Sequence, residues 1–131
     1  TVDKSVHKER IRLLGAQKDT ARLYCNSHLF ALASRWEGFP NAVAEASAHG
    51  LPCVGFAECG GMSDVIKHDA TGHLATGNQN VVTLAKSLSA LMADDAKRAE
   101  MGANAKEAMK EFAPNVIFDQ WEHYFESMLK S

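Results

Sequence analysis

Between residues 29 and 57 the chain is punctuated in a way that few folds accommodate. A continuous apolar run at 29–33 gives way to Gly38 and Pro40. A stretch containing Ala42, Ala44, Ala46 and Ala48 follows, then Gly50 and Pro52, then a second run at 53–57. An apolar run of this length is typical of a strand buried on both faces. Asn41 is placed to cap a helix. Gly50 is placed to end it in a left-handed turn, and Pro52 prevents its continuation. Strand, helix and strand in so short a space imply two parallel strands joined by a crossover helix.

The same alternation extends to both sides. Residues 11–14 read as a short strand ending at Gly15, and Asp19 can cap a helix running to about Cys25. Beyond 57, a short helix is expected over 61–68 with Val65 and Ile66 inward, and a last short strand over 72–75. From Gln79 onward the chain turns helical. Val81, Leu84, Ala85, Leu88, Leu91 and Met92 form one stripe, and Asp94-Asp95 interrupts. Met101, Ala105, Ala108 and Phe112 form a second stripe, and Ala113-Pro114 breaks it. Ile117, Trp121, Tyr124, Phe125 and Met128 form a third. The fold class is therefore α/β: a Rossmann-like parallel sheet flanked by helices, in one domain spanning 1–131.

Composition narrows the function classes. A net charge of -2 gives no electrostatic footprint for nucleic acid. Three cysteines, Cys25, Cys53 and Cys59, form no C-x-x-C, so neither a disulfide framework nor a zinc site is expected. A reducing, cytoplasmic setting is the default expectation. No apolar run approaches the length of a membrane span, so no transmembrane segment is expected. The six histidines, His7, His28, His49, His68, His73 and His123, show no metal-ligand spacing, so each reads as structural or exposed.

Chemistry concentrates in Glu37 and Glu45, which have seven residues between them. Glu37 lies in the Gly/Pro turn and Glu45 about one turn into the following helix. The free N–H groups of a helix N-terminus suit a phosphate or pyrophosphate. Two carboxylates beside it repel that anion, yet they accept hydrogen bonds from hydroxyls attached to it. An anion flanked by sugar hydroxyls is a nucleotide-sugar. In an open parallel sheet such ligands bind beyond the carboxyl ends of the strands, where the Glu37 turn falls.

The run 32–54, Leu-Ala-Ser-Arg-Trp-Glu-Gly-Phe-Pro-Asn-Ala-Val-Ala-Glu-Ala-Ser-Ala-His-Gly-Leu-Pro-Cys-Val, resembles the donor-binding segment of retaining glycosyltransferases of the GT-B fold, family 4. Gly60-Gly61-Met62-Ser63-Asp64-Val65-Ile66 and Thr71-Gly72-His73-Leu74 resemble the loop, turn and strand that follow it there. The likeness runs in order over about 10–125. It implies the C-terminal, nucleotide-sugar-binding domain of a two-domain enzyme. The N-terminal acceptor domain has no counterpart here, nor do the strand and helix that carry the family's basic pair. The chain alone is therefore expected to have little or no transferase activity.

Carried onto this sequence, the resemblance assigns Glu45 to the ribose hydroxyls. Glu37 goes to the sugar near its anomeric carbon, as nucleophile or as stabiliser of positive charge. The backbone of Gly38, Phe39, Pro40, Asn41, Ala42 and Val43 would line the donor, the amides near Phe39 meeting sugar hydroxyls and those near Ala42 and Val43 the diphosphate. Gly60 and Gly61 would help cradle the anion, while Gly15 and Ala16 would border the base. No cofactor or metal is implied, and the chain has no D-x-D. Arg35 leans the expectation toward a UDP-sugar, with galactose or an N-acetylhexosamine as the hexose. The acceptor would be a glycan or lipid-linked glycan held by the missing domain, at the inner membrane face. The last helix would cross onto that domain. Two other readings stand beside this one: a GT-B nucleotide-sugar epimerase, and a non-catalytic nucleotide-sugar-binding or docking domain.

Overall fold

A computed structural model describes residues 2–77 and 79–130. After two single-turn 3₁₀ helices at Val2–Lys4 and Lys8–Arg10, the elements are α1 (Thr20–Cys25), β1 (Phe30–Leu32), α2 (Asn41–Ala48), β2 (Cys53–Phe56), α3 (Met62–Val65) and β3 (Gly72–Ala75). Three longer helices follow: α4 (Val81–Ala93), α5 (Asp95–Ala108) and α6 (Pro114–Leu129). A 3₁₀ turn at Met109–Phe112 joins the last two. The sheet is parallel in the order β1-β2-β3, with Ala31 opposite Val54 and Val54 opposite His73.

The central strand β2 is buried along its whole length because it has a core on each face. Cys53 and Phe56 pack with Val43 and Ala46 of α2, Met62 and Val65 of α3, and Ile66. Val54 packs with Leu91 of α4 and Met101 of α5. The inward residues expected at Val65 and Ile66 are both buried. Of the α4 stripe, Leu91 is buried and Leu84 and Leu88 pack beside it, while Val81 and Met92 face solvent.

Several local expectations fail for physical reasons. Residues 11–14 form no strand; they are exposed, and no strand among the described residues pairs with them. The 29–33 run is not buried on both faces. Its strand β1 is an edge strand, so Ala31 is exposed while Phe30 and Leu32 are half-buried. Asn41 is the first helical residue rather than the cap. Pro40 holds the cap position, with no side-chain hydrogen bond. The third stripe, expected to cross onto a further domain, has no buried residue in α6, and its Trp121 stacks on Phe125 at 5.5 Å in the open.

Two end signals hold. Asp19 accepts a hydrogen bond from the Arg22 amide at 3.1 Å and caps α1. Gly50 ends α2 at φ +81. Its carbonyl lies where a side chain on Gly102 would be, so α2 and α5 meet backbone to backbone.

Candidate functional site

The three strands run the same way, so the loops that leave them gather at one end of the sheet. Residues 33–40 follow β1, residues 57–61 follow β2, and Thr76 and Gly77 follow β3. These loops are tied together. The Gly77 amide donates to Glu58 Oε1 at 2.8 Å, and Arg35 Nη2 donates to Gln79 Oε1 at 2.8 Å. A Cβ on Gly61 would lie 2.6 Å from Gly38 O, and one on Gly60 would lie 3.3 Å from Glu37 O. The Glu37 turn and the Gly60-Gly61 loop are therefore in direct contact. Gly61 itself is left-handed at φ +74, a conformation that costs glycine little.

Glu37 is half-buried in this contact, beside Cys59. Burial pushes the Cys59 thiol up and the Glu37 charge adds to it, while a backbone hydrogen bond from Glu37 acts the other way. Gly38 is exposed, and Phe39 packs its ring 5.4 Å from Phe112. At the start of α2, the Asn41 amide donates to Phe39 O and the Val43 amide to Pro40 O, each at 2.9 Å. Ala42 keeps an N–H with no acceptor among the described residues, and it points the way a helix N-terminus presents its donors. Val43 meanwhile buries its side chain in the core.

Glu45 lies one turn further on, with its side chain exposed. Its Oε2 accepts from the Tyr24 hydroxyl at 3.1 Å. Gly15, at φ +63, and Ala16 stand in an exposed turn ahead of α1. No hydrogen bond among the described residues joins that turn to the Glu37 loop. Glu37, Gly38, Pro40, Gly60 and Gly61 are thus brought together. Asn41, Ala42, Val43 and Glu45 follow on the same helix, and Gly15 and Ala16 stand apart.

Sequence reasoning missed three residues here. Tyr24 sits in the expected α1 helix but carries no motif. Glu58 and Gln79 tie loops that are distant in sequence, which no local pattern reports. Among the described residues, no group of three histidine, cysteine, aspartate or glutamate side chains is arranged to hold a metal ion. No helix among them is long and apolar enough to cross a membrane.

Known proteins resemble this chain in sequence and in fold. The N-acetyl-alpha-D-glucosaminyl L-malate synthase of Bacillus anthracis is 33% identical over 129 residues, covering 97% of this chain and 33% of that protein. A Campylobacter jejuni enzyme named N,N'-diacetylbacillosaminyl-diphospho-undecaprenol alpha-1,3-N-acetylgalactosaminyltransferase is 29% identical over 121 residues. That match covers 92% of this chain and 32% of the enzyme. The chain thus spans about a third of the length of these two relatives. The Anabaena protein HepE, solved in complex with UDP and glucose, superposes with a TM-score of 0.78 at 28% identity, covering 90% of this chain and 32% of that one. The sheet and its flanking helices are those of part of a GT-B glycosyltransferase. A family model described as glycosyl transferases group 1 matches residues 3–108, and this chain belongs to that family.

Proposed function

We propose that this chain is the nucleotide-sugar-binding part of a retaining glycosyltransferase that moves a hexose from a UDP-sugar to an acceptor hydroxyl. One observation carries the reading. The Glu37 turn, the unpaired Ala42 amide and the Gly60-Gly61 loop converge at the carboxyl ends of the strands, with Glu45 one turn away. In this reading the Ala42 amide and the start of α2 meet the diphosphate, where fixed dipoles stabilise the charge that builds on a leaving group. Glu37 faces the sugar and stabilises positive charge at its anomeric carbon. Glu45 accepts hydrogen bonds from the ribose hydroxyls.

Uracil is the base supported best, because HepE was solved with UDP and glucose. A lipid-linked glycan is the acceptor supported best, because the Campylobacter relative is named for a diphospho-undecaprenol acceptor. In this reading the acceptor, the basic residues for the diphosphate and a site at the inner membrane face belong to the whole protein, and this chain is part of its C-terminal domain.

The test is an NMR titration with UDP, GDP and ADP, repeated on Glu45→Gln. The expected result is shifts within 37–46 and at Gly60 and Gly61 for UDP, weakened at least about tenfold by the substitution, as fits loss of a charged hydrogen-bond acceptor. Shifts confined to other surfaces, or binding that Glu45→Gln leaves unchanged, would sink the reading.

A further inference from the structure

Tyr24 is the buried residue of α1. Its ring is wedged between Phe30 of β1, at 5.9 Å in an edge-on contact, and His49 just past α2, at 5.2 Å. The core therefore fixes where its hydroxyl emerges. That hydroxyl donates to Glu45 Oε2 at 3.1 Å, and His49 Nδ1 lies 2.8 Å from Glu45 O. The His49 contact is to the main chain, so the Tyr24 hydroxyl alone holds the Glu45 carboxylate, while Oε1 has no partner among the described residues. Burial, then the hydrogen bond and charge of Glu45, push the Tyr24 pKa up, so the phenol keeps its proton through the neutral range. A phenylalanine would satisfy the same ring contacts. The hydroxyl adds a charge-assisted hydrogen bond to an exposed carboxylate, whose rotamers would otherwise be free.

We propose that Tyr24 is a positioning residue for the nucleotide: by anchoring Oε2 it aims Oε1 of Glu45 at the vicinal ribose hydroxyls and sets the preference for ribose over deoxygenated sugars. The inference rests on the donor-site reading above. Tyr24 does not touch the ligand. It removes the cost of ordering Glu45 when the ligand arrives, so its contribution is to discrimination rather than to general affinity.

The experiment is calorimetric titration of the full-length protein with UDP and with its dideoxyribose analogue, for the wild type, Tyr24→Phe and Glu45→Gln. Phenylalanine keeps the contacts to Phe30 and His49, so folding is retained, and thermal melting checks this. The wild type should prefer UDP. Tyr24→Phe should cut that preference about fivefold while leaving affinity for the analogue unchanged. Glu45→Gln should erase the preference. If Tyr24→Phe weakens both ligands equally, or keeps the full preference while Glu45→Gln erases it, Tyr24 is only a packing residue and the inference is overturned. If the wild type shows no preference, or Glu45→Gln keeps it, the donor-site reading fails and takes the inference with it.

Discussion

Gly61→Ala should destabilise the protein where Gly38→Ala should not, although the two glycines face each other. At Gly61 the backbone is left-handed at φ +74, and a Cβ would lie 2.6 Å from Gly38 O and 3.2 Å from Pro40 Cδ. The left-handed conformation costs an alanine about 1–2 kcal/mol. Pressing a methyl group against main chain that cannot rotate away costs about 1–3 kcal/mol more. The reduced freedom of the unfolded chain offsets about 0.4–1 kcal/mol of this. The net loss is about 1–5 kcal/mol, centred at about 3 kcal/mol. At Gly38 φ is not positive, and a Cβ would meet nothing within 4 Å, so only the favourable unfolded-state effect remains. Gly60→Ala should fall between them, with its Cβ 3.3 Å from Glu37 O. Urea unfolding of the three variants gives the order directly, provided the m-values agree. UDP affinity measured on the same samples should fall for Gly61→Ala, because the clash displaces the Glu37 turn. Equal midpoints for Gly61→Ala and Gly38→Ala would refute the contact between the two loops.

Two further outcomes follow from the core. Burial pushes the Cys53 thiol from 9.0 up to about 11. Both states keep the proton below pH 9; above it the unfolded chain ionises first, so native stability should fall between pH 9 and about 11, by about 2–3 kcal/mol from Cys53 alone. Cys59 and Tyr24, both pushed up, act in the same direction, and Cys53→Ala should flatten the largest part of the slope in pH-dependent urea unfolding. A slope unchanged by Cys53→Ala would show that this thiol is not the source. Separately, Leu91→Ala should cost about 2–4 kcal/mol, because Leu91 fills the space between Val54 and Met101, whereas the exposed Val82→Ala on the same helix should change stability by less than about 0.5 kcal/mol. Matching midpoints for the two variants would place the core of α4 elsewhere.

Elements whose signals are local were legible in the sequence. Asp19 and Gly50 fall where the residues say, because a cap and a left-handed glycine each act over a few residues, and the 72–75 strand lies at its expected bounds. Signals that depend on neighbours misled. The apolar run at 29–33 looks doubly buried, yet among the described residues only β2 lies beside it, which makes it an edge strand. Residues 11–14 have strand composition, and no strand among the described residues pairs with them. Asn41 has the chemistry of a cap, but Pro40, with its φ fixed, occupies that place one residue earlier. At the candidate site, Glu37, Glu45 and the glycines were legible as a spacing. The partners that hold them were not. Tyr24 reaches Glu45 across 21 positions and Arg35 reaches Gln79 across 44, and such pairs are set by how the layers stack.

The meeting of Gly50 and Gly102 also governs how α2 can move. With no side chain between them, the carboxyl end of α2 is pinned to α5, and Leu51 and Pro52 continue directly into the buried β2. The amino end is held in the same way: Gly38 O and Pro40 pack on Gly61, and Pro40 is fully buried. Eight residues make a rod about 12 Å long, and with a glycine contact at each end it cannot tilt without breaking one of them. The open donors at its start therefore point in a direction fixed before any anion arrives.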